Sequence, residues 1–204
     1  MPIRRTATLL AAAGLLLAGL LFALQQRPAQ AAPSTSAAGG MCPRDTAGTI
    51  YLEIKGIEGE SKDEQHPGWI ELESYNWGMT QTGAIGGGGG GAGKVQMQDF
   101  HFTMKMDKAS PKLMQVCAQG EHLREVKLDV RRPNAQESFL QWTMEDVVCS
   151  SYQTGNSAHG DALPTEQVSL NFGKIKVSYT EQDKMCKPGE KTEFQWDVET
   201  NTGV

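Results

Sequence analysis

The sequence predicts a mainly β protein: a compact β-barrel of six or more strands, formed from two packed sheets, with one flanking α-helix at about residues 111–119. Three observations support this fold class. Apolar residues recur at every second position in at least six segments, which is the period of a half-buried strand. Only one segment has the three-to-four spacing of a helix. Strands and helices do not alternate along the chain, which excludes a doubly wound parallel sheet.

Each predicted strand is defined by its alternating apolar residues. In chain order these are Ile50, Leu52 and Ile54; Ile70 and Leu72; Val95 and Met97, continued by Phe100, Phe102 and Met104; Val126, Leu128 and Val130; Leu140, Trp142 and Met144; and Val168, Leu170 and Phe172, continued by Ile175, Val177 and Tyr179. A change of phase at Asp99 predicts a β-bulge. Residues 56–68 are polar and glycine-rich, so we expect a long loop there.

The single helix has recognisable start and stop signals. Ser110 is expected to cap its first turn, and Pro111 occupies the first helical position, where a missing N–H costs nothing. Gly120 is a suitable C-terminal stop. Because the helix has fewer than three turns, it must dock on the sheet through the face that carries Leu113.

The N-terminus resembles an export signal. Arg4 and Arg5 are followed by an apolar stretch from Ala7 to Leu24 and then by small residues up to Ala31. This order predicts a signal peptide over residues 1–31 with cleavage after Ala31. The alternative is an uncleaved membrane anchor, because the apolar stretch is nearly long enough to span a bilayer.

The rest of the chain divides into three predicted parts. These are a flexible linker (32–48), a barrel domain (49–183) and a C-terminal tail (184–204) with a final strand around 194–199. Removing the signal changes the formal net charge from −5 to −8, because that segment holds three arginines and no acid. Such an acidic chain lacks the basic footprint that nucleic acid or anionic lipid requires. The mature protein is therefore not expected to bind nucleic acid or membrane.

Four cysteines after an export signal allow two disulfides. Cys42 precedes the first strand and Cys186 follows the barrel, so a bridge between them would join the ends of the domain. Cys117 and Cys149 remain as a second pair or as buried thiols. None of the spacings is typical of zinc, and we predict no metal or cofactor.

Two motifs suggest chemistry. Gly88–Lys94, which overlaps the glycine run Gly86–Gly91, matches a phosphate-binding loop in outline, but Val95 replaces the hydroxyl residue and a strand follows instead of a helix. The acids Glu58, Glu60, Asp63 and Glu64 form a cluster, which we interpret as a solvated loop tip or a contact with a neighbouring subunit.

The four histidines are His66, His101, His122 and His159, and we interpret them as surface or interface residues. No catalytic residue is predicted, and a hydrolase remains the weakest hypothesis.

Several segments together resemble one family. They are Ile50–Ser61, Asp99–Phe102, Asp107–Leu113 (DKASPKL), Gly120–Leu123, Asp146–Tyr152, Pro164–Phe172, Tyr179–Asp183 and Trp196–Asn201. In this order they resemble the haemolysin-coregulated proteins, Hcp, which are the tube proteins of the type VI secretion system. The resemblance extends over residues 49–201, with gaps at the glycine-rich loop and at 184–193.

The resemblance implies a tight barrel flanked by one helix and a structural, non-enzymatic role. Hcp proteins form hexameric rings that stack into a tube and carry small effectors, so effector cargo and secretion-apparatus proteins are the expected partners. The resemblance also implies that the loop at residues 56–68, the extended loop of the family, makes subunit contacts. The candidate residues are Glu58, Glu60, Ser61, Asp63, Glu64 and His66. Typical members carry no cleaved signal. The alternative is an exported, Hcp-like binding module that acts in the periplasm or outside the cell without a tube.

Overall fold

Six antiparallel strands close into a barrel in the computed structural model, which describes residues 48–81, 94–133, 135, 137–158, 160 and 163–203. The strands are β1 (Thr49–Ile54), β2 (Ile70–Asn76), β3 (Met79–Gln81), β4 (Val95–Met97), β5 (Phe100–Lys105), β6 (His122–Arg131), β7 (Leu140–Gly155), β8 (Thr165–Gln182), β9 (Pro188–Asp197) and β10 (Thr202–Gly203), and the helix is α1 (Ser110–Gln119). The predicted fold class is confirmed.

The barrel closes through its two longest strands. Its order is β8-β5-β2-β1-β6-β7, and β7 pairs back onto β8 from Leu140 opposite Tyr179 to Gly155 opposite Thr165. A register shift between Cys149 and Ser151 bends β7 within this pairing. Closure satisfies the backbone hydrogen bonds of strands that would otherwise form exposed edges.

The barrel interior is the hydrophobic core. Its most buried large side chains include Leu52, Ile70, Phe100, Phe102, Met104, Leu113, Leu128, Met144, Leu170 and Ile175. All of them except Leu113, which lies on α1, come from the alternating positions that the sequence marked. Each such side chain contributes about 1.5–3 kcal/mol through burial. The helix packs on the barrel through Leu113 and Val116, both 1% exposed, as predicted.

Three local expectations are corrected. The phase change at Asp99 is not a bulge: β4 pairs with β3 in a separate two-stranded sheet, and β5 enters the barrel. Ser110 is the first helical residue and does not cap, since the N-cap is Ala109 and no side-chain cap bond forms. The final long strand begins earlier than expected, because β9 pairs along β8 from Pro188 to Asp197.

The helix ends as expected at Gly120, which has a left-handed backbone with φ of 62°. Within the described ranges, no helix has the length and hydrophobicity that a bilayer span requires. The predicted signal peptide or anchor (1–31), most of the linker, Cys42, His159 and the glycine run Gly86–Gly91 lie outside the described residues.

Candidate functional site: the extended loop and its anchor

The segment between β1 and β2, residues 55–69, is the extended loop, and it folds back on itself. The N–H of Gly59 donates to the carbonyl of Gly68 at 2.8 Å, and the N–H of Ser61 donates to the carbonyl of Trp69 at 3.0 Å. A Cβ at Gly59 would lie 2.3 Å from the Trp69 carbonyl oxygen. Only glycine therefore permits this approach of the two backbones, and the loop has a defined structure of its own.

His66 anchors the loop to the barrel. The residue is 3% exposed, and its ring stacks on Tyr51 of β1, with ring centroids 4.3 Å apart and an interplanar angle of 4°. Its Nδ1 lies 3.0 Å from Oδ1 of Asp63, and its Nε2 lies 3.1 Å from Oδ2 of Asp129 on β6. The interpretation of His66 as a surface residue is therefore wrong, because these contacts bury it inside its own chain.

The two carboxylates beside His66 have further partners. Arg131 on β6 donates to Oδ2 of Asp63 at 2.7 Å, and Asp129 accepts hydrogen bonds from Ser138 and Gln141. Burial raises the pKa of Asp63, but hydrogen bonds from the His66 ring and from backbone N–H groups, together with the Arg131 charge, bring it below its ordinary value. Asp63 is thus held as a carboxylate.

The tip of the loop contacts the segment before the helix. The N–H of Lys108 donates to Oε1 of Glu60 at 3.1 Å, and its ammonium lies 3.3 Å from Oε2 of Glu58. Both glutamates are exposed, as is Glu64. Surface ion pairs of this kind contribute little to stability. The exposed acids therefore remain available on the molecular surface, whereas Ser61 and His66 are buried.

A buried polar cluster supports the start of the helix. Ser110 Oγ accepts the N–H of Asp107 at 3.0 Å and donates to Oε2 of Glu166, which is fully buried. Burial, followed by the charge of neighbouring acids, raises the pKa of Asp107. Burial and the adjacent Glu166 carboxyl raise the pKa of Tyr152. Asp129 alternates with Leu128 and Val130 like an ordinary outward-facing acid, so nothing local in the sequence marked it as buried. Glu166 differs, because it is in phase with the inward-facing Val168 and Leu170, and that phase is the signal that could have identified it.

The side chains of the loop anchor contact one another. Both ring nitrogens of His66 contact carboxylates of its own chain. Ser138 donates its hydroxyl proton to Oδ2 of Asp129 and not to the histidine. Among the described residues, no group of His, Cys, Asp and Glu is placed to hold a metal ion.

The remaining candidates lie apart from the anchor. Cys117 of α1 and Cys149 of β7 form a disulfide that fastens the helix to the barrel. Cys186 is buried, but the proposed Cys42–Cys186 bridge stays a prediction because Cys42 is not among the described residues. His101 and His122 are exposed on β5 and β6, and His101 Nδ1 lies 2.6 Å from the hydroxyl of Ser169.

Comparison with known proteins identifies the family. The family model described as "Type VI secretion system effector, Hcp" matches residues 51–179. A curated relative, protein hcp1 of Pseudomonas aeruginosa, is 39% identical over 156 residues, which cover 74% of this chain and 96% of that protein. The chain belongs to the Hcp family of type VI secretion proteins.

Solved structures agree with this membership. One described as a type six secretion system protein has a TM-score of 0.72 at 28% identity and covers 78% of this chain and 100% of its own. Hcp1 from Salmonella typhimurium has a TM-score of 0.66 at 31% identity, with the same coverage. The resemblance stated from the sequence motifs is therefore confirmed. Asp63, His66, Asp129 and Arg131 all fall within the part that matches the Hcp model.

Proposed function

We propose that this Hcp protein is a non-enzymatic structural subunit that forms hexameric rings, which stack into a type VI secretion tube and carry small effectors. The observation that supports this is membership of the Hcp family, whose model matches residues 51–179 and so includes all of the closed barrel except the outer ends of β1 and β8. A closed barrel leaves few free strand edges, so its subunits associate through loops and side-chain surfaces. A ring of identical heterologous contacts closes on itself without a second kind of subunit.

The extended loop is the proposed subunit contact, through its exposed acids Glu58, Glu60 and Glu64. Because the loop is anchored at His66, these carboxylates have the same positions on every subunit. Ser61, Asp63 and His66, the other candidates, serve the same contact by holding the loop's shape.

Size-exclusion chromatography with light scattering on residues 32–204 tests the ring. The expected mass is six times that of the subunit, and a monomer at tens of micromolar would refute the hexamer. Glu64→Lys should weaken assembly, with Glu145→Lys on β7 as the matched exposed control. If the two variants weakened assembly equally, the extended loop would not be the subunit contact.

A second candidate function is an exported binding module that works outside the cytoplasm without a tube. The disulfide between Cys117 and Cys149 favours it, because such bonds form and persist in oxidising compartments. N-terminal sequencing of the protein from cell fractions distinguishes the two. Mature protein starting at Ala32 in the periplasm or medium supports export through the signal peptide, whereas an intact N-terminus in the cytoplasm supports assembly there.

A further inference from the structure

His66 makes two contacts that a neutral histidine cannot satisfy together. Its Nδ1 lies 3.0 Å from Asp63 Oδ1 and its Nε2 lies 3.1 Å from Asp129 Oδ2. An ionised carboxylate only accepts hydrogen bonds, and a neutral imidazole carries a single N–H. Both contacts are hydrogen bonds only if the ring is an imidazolium with a proton on each nitrogen.

The charges around the ring agree with this state. The loop contributes Asp63, and β6 contributes Asp129 and Arg131, so two carboxylates face one guanidinium and the His66 ring. A cationic ring makes the group neutral overall, whereas a neutral ring leaves one excess negative charge in a buried site. Such a charge is costly when water is excluded.

The other elements packed here supply few charges. The phenol of Tyr51 from β1 stacks on the ring, and the indole of Trp69 meets it edge-on with centroids 4.7 Å apart. A cleft of about 470 Å³ opens beside His66 and Asp129 and is also lined by Glu137 and by Lys191 of β9. This cleft gives water, and therefore protons, a route to the buried ring.

The contacts join two parts of the fold. Asp63 and His66 belong to the extended loop, whereas Asp129 and Arg131 belong to β6. We propose that His66 is a pH-sensitive latch that, as an imidazolium, holds the extended loop on the barrel and, on losing a ring proton, releases it. Deprotonation converts one N–H donor into a lone pair that faces a carboxylate oxygen at about 3 Å, so attraction becomes repulsion. The latch operates within a single chain and does not depend on ring assembly.

Nuclear magnetic resonance of the protein labelled with ¹⁵N at histidine tests the latch directly. In the latched state, in which the loop amides are protected, both ring nitrogens of His66 should carry protons. As the pH is raised, the exchange protection factors of the Ser61 and Gly68 amides should fall by at least about ten-fold at the pH where the ring proton is lost, because a charge-assisted hydrogen bond disappears. Exposed His122 on β6 is the internal control, since its titration should leave the loop unchanged. A neutral His66 ring while the loop amides are protected, or loop protection that does not change when the ring loses its proton, would overturn the proposal.

Variants provide a second test. His66→Gln should leave the loop amides poorly protected at every pH and remove the pH dependence, whereas His122→Gln should behave like the parent. If His66→Gln fails to fold, Asp129→Asn keeps the size of the side chain and removes one of the two charges that stabilise the imidazolium. In that variant His66 should lose its ring proton at a lower pH than in the parent, and an unchanged titration would contradict the latch.

Discussion

The close backbone approach at Gly59 gives the sharpest test of the loop structure. In Gly59→Ala, the added Cβ would lie 2.3 Å from the oxygen and 2.6 Å from the carbonyl carbon of Trp69, and 2.7 Å from Cα of Ile70. All three are backbone atoms, so no side-chain rotation relieves the clash. One arm of the loop must move away from the other, and the hydrogen bonds Gly59–Gly68 and Ser61–Trp69 are lost.

The expected loss of unfolding free energy in Gly59→Ala follows from three contributions. Two backbone hydrogen bonds contribute about 1 kcal/mol each, and forced repacking costs about 1–3 kcal/mol. The reduced freedom of the unfolded chain returns about 0.4–1 kcal/mol. We therefore expect Gly59→Ala to lower the free energy of unfolding by about 2–4.5 kcal/mol.

The assay is urea unfolding followed by tryptophan fluorescence, at one protein concentration so that assembly does not differ between samples. Gly155→Ala is the matched control, because a Cβ there meets no atom within 4 Å, and we expect it to be neutral or slightly stabilising. A loss of less than about 0.5 kcal/mol in Gly59→Ala, or an equal loss in both variants, would refute the described loop.

Three further predictions concern the core, the disulfide and acid stability. Leu128→Ala should cost about 2–5 kcal/mol because the side chain is 0% exposed, whereas Leu163→Ala, at 53% exposed, should be near neutral in the same urea assay. Replacing Cys117 and Cys149 together by Ser should cost about 3–4 kcal/mol, since the bond closes a loop with a sequence separation of 32; reductant should destabilise the parent in thermal unfolding but not the variant. The carboxylate of Asp63 has a lowered pKa when folded, so it stabilises the fold above the ordinary carboxyl range and loses that effect as pH falls through the lowered value. Asp63→Asn should therefore reduce the difference in unfolding free energy between about pH 6 and pH 3, and an unchanged difference would contradict the assignment.

The latch and the disulfide link stability to the compartment in which the protein works. The disulfide joins α1 to β7, and the latch joins the extended loop to β6. The first responds to redox conditions and the second to pH, which both differ between the cytoplasm and the outside of the cell. Cell fractionation and the pH titration of His66 are therefore complementary experiments on one question, namely where the protein assembles.

The sequence by itself determined the strand-rich fold, the helix and the family. Alternating apolar residues such as Leu52 and Leu128 specify their strands because one face of each strand must leave water. Pro111 and Gly120 mark the helix because they act on the local backbone. These signals are local, so they are readable without knowledge of what packs against them. The ordered Hcp motifs then identified the family.

Only the tertiary structure decided the site. Tyr51, at an alternating position that predicts exposure, is buried because the loop returns over it and stacks His66 on its ring. Asp129 looks like any outward-facing acid on β6, yet its partner His66 lies 63 residues earlier in the chain. The partition of β4 and β5 between two sheets likewise depends on which strands pair. Pairing and burial between distant segments are fixed by closure of the barrel, and the alternation within one segment carries no information about that closure.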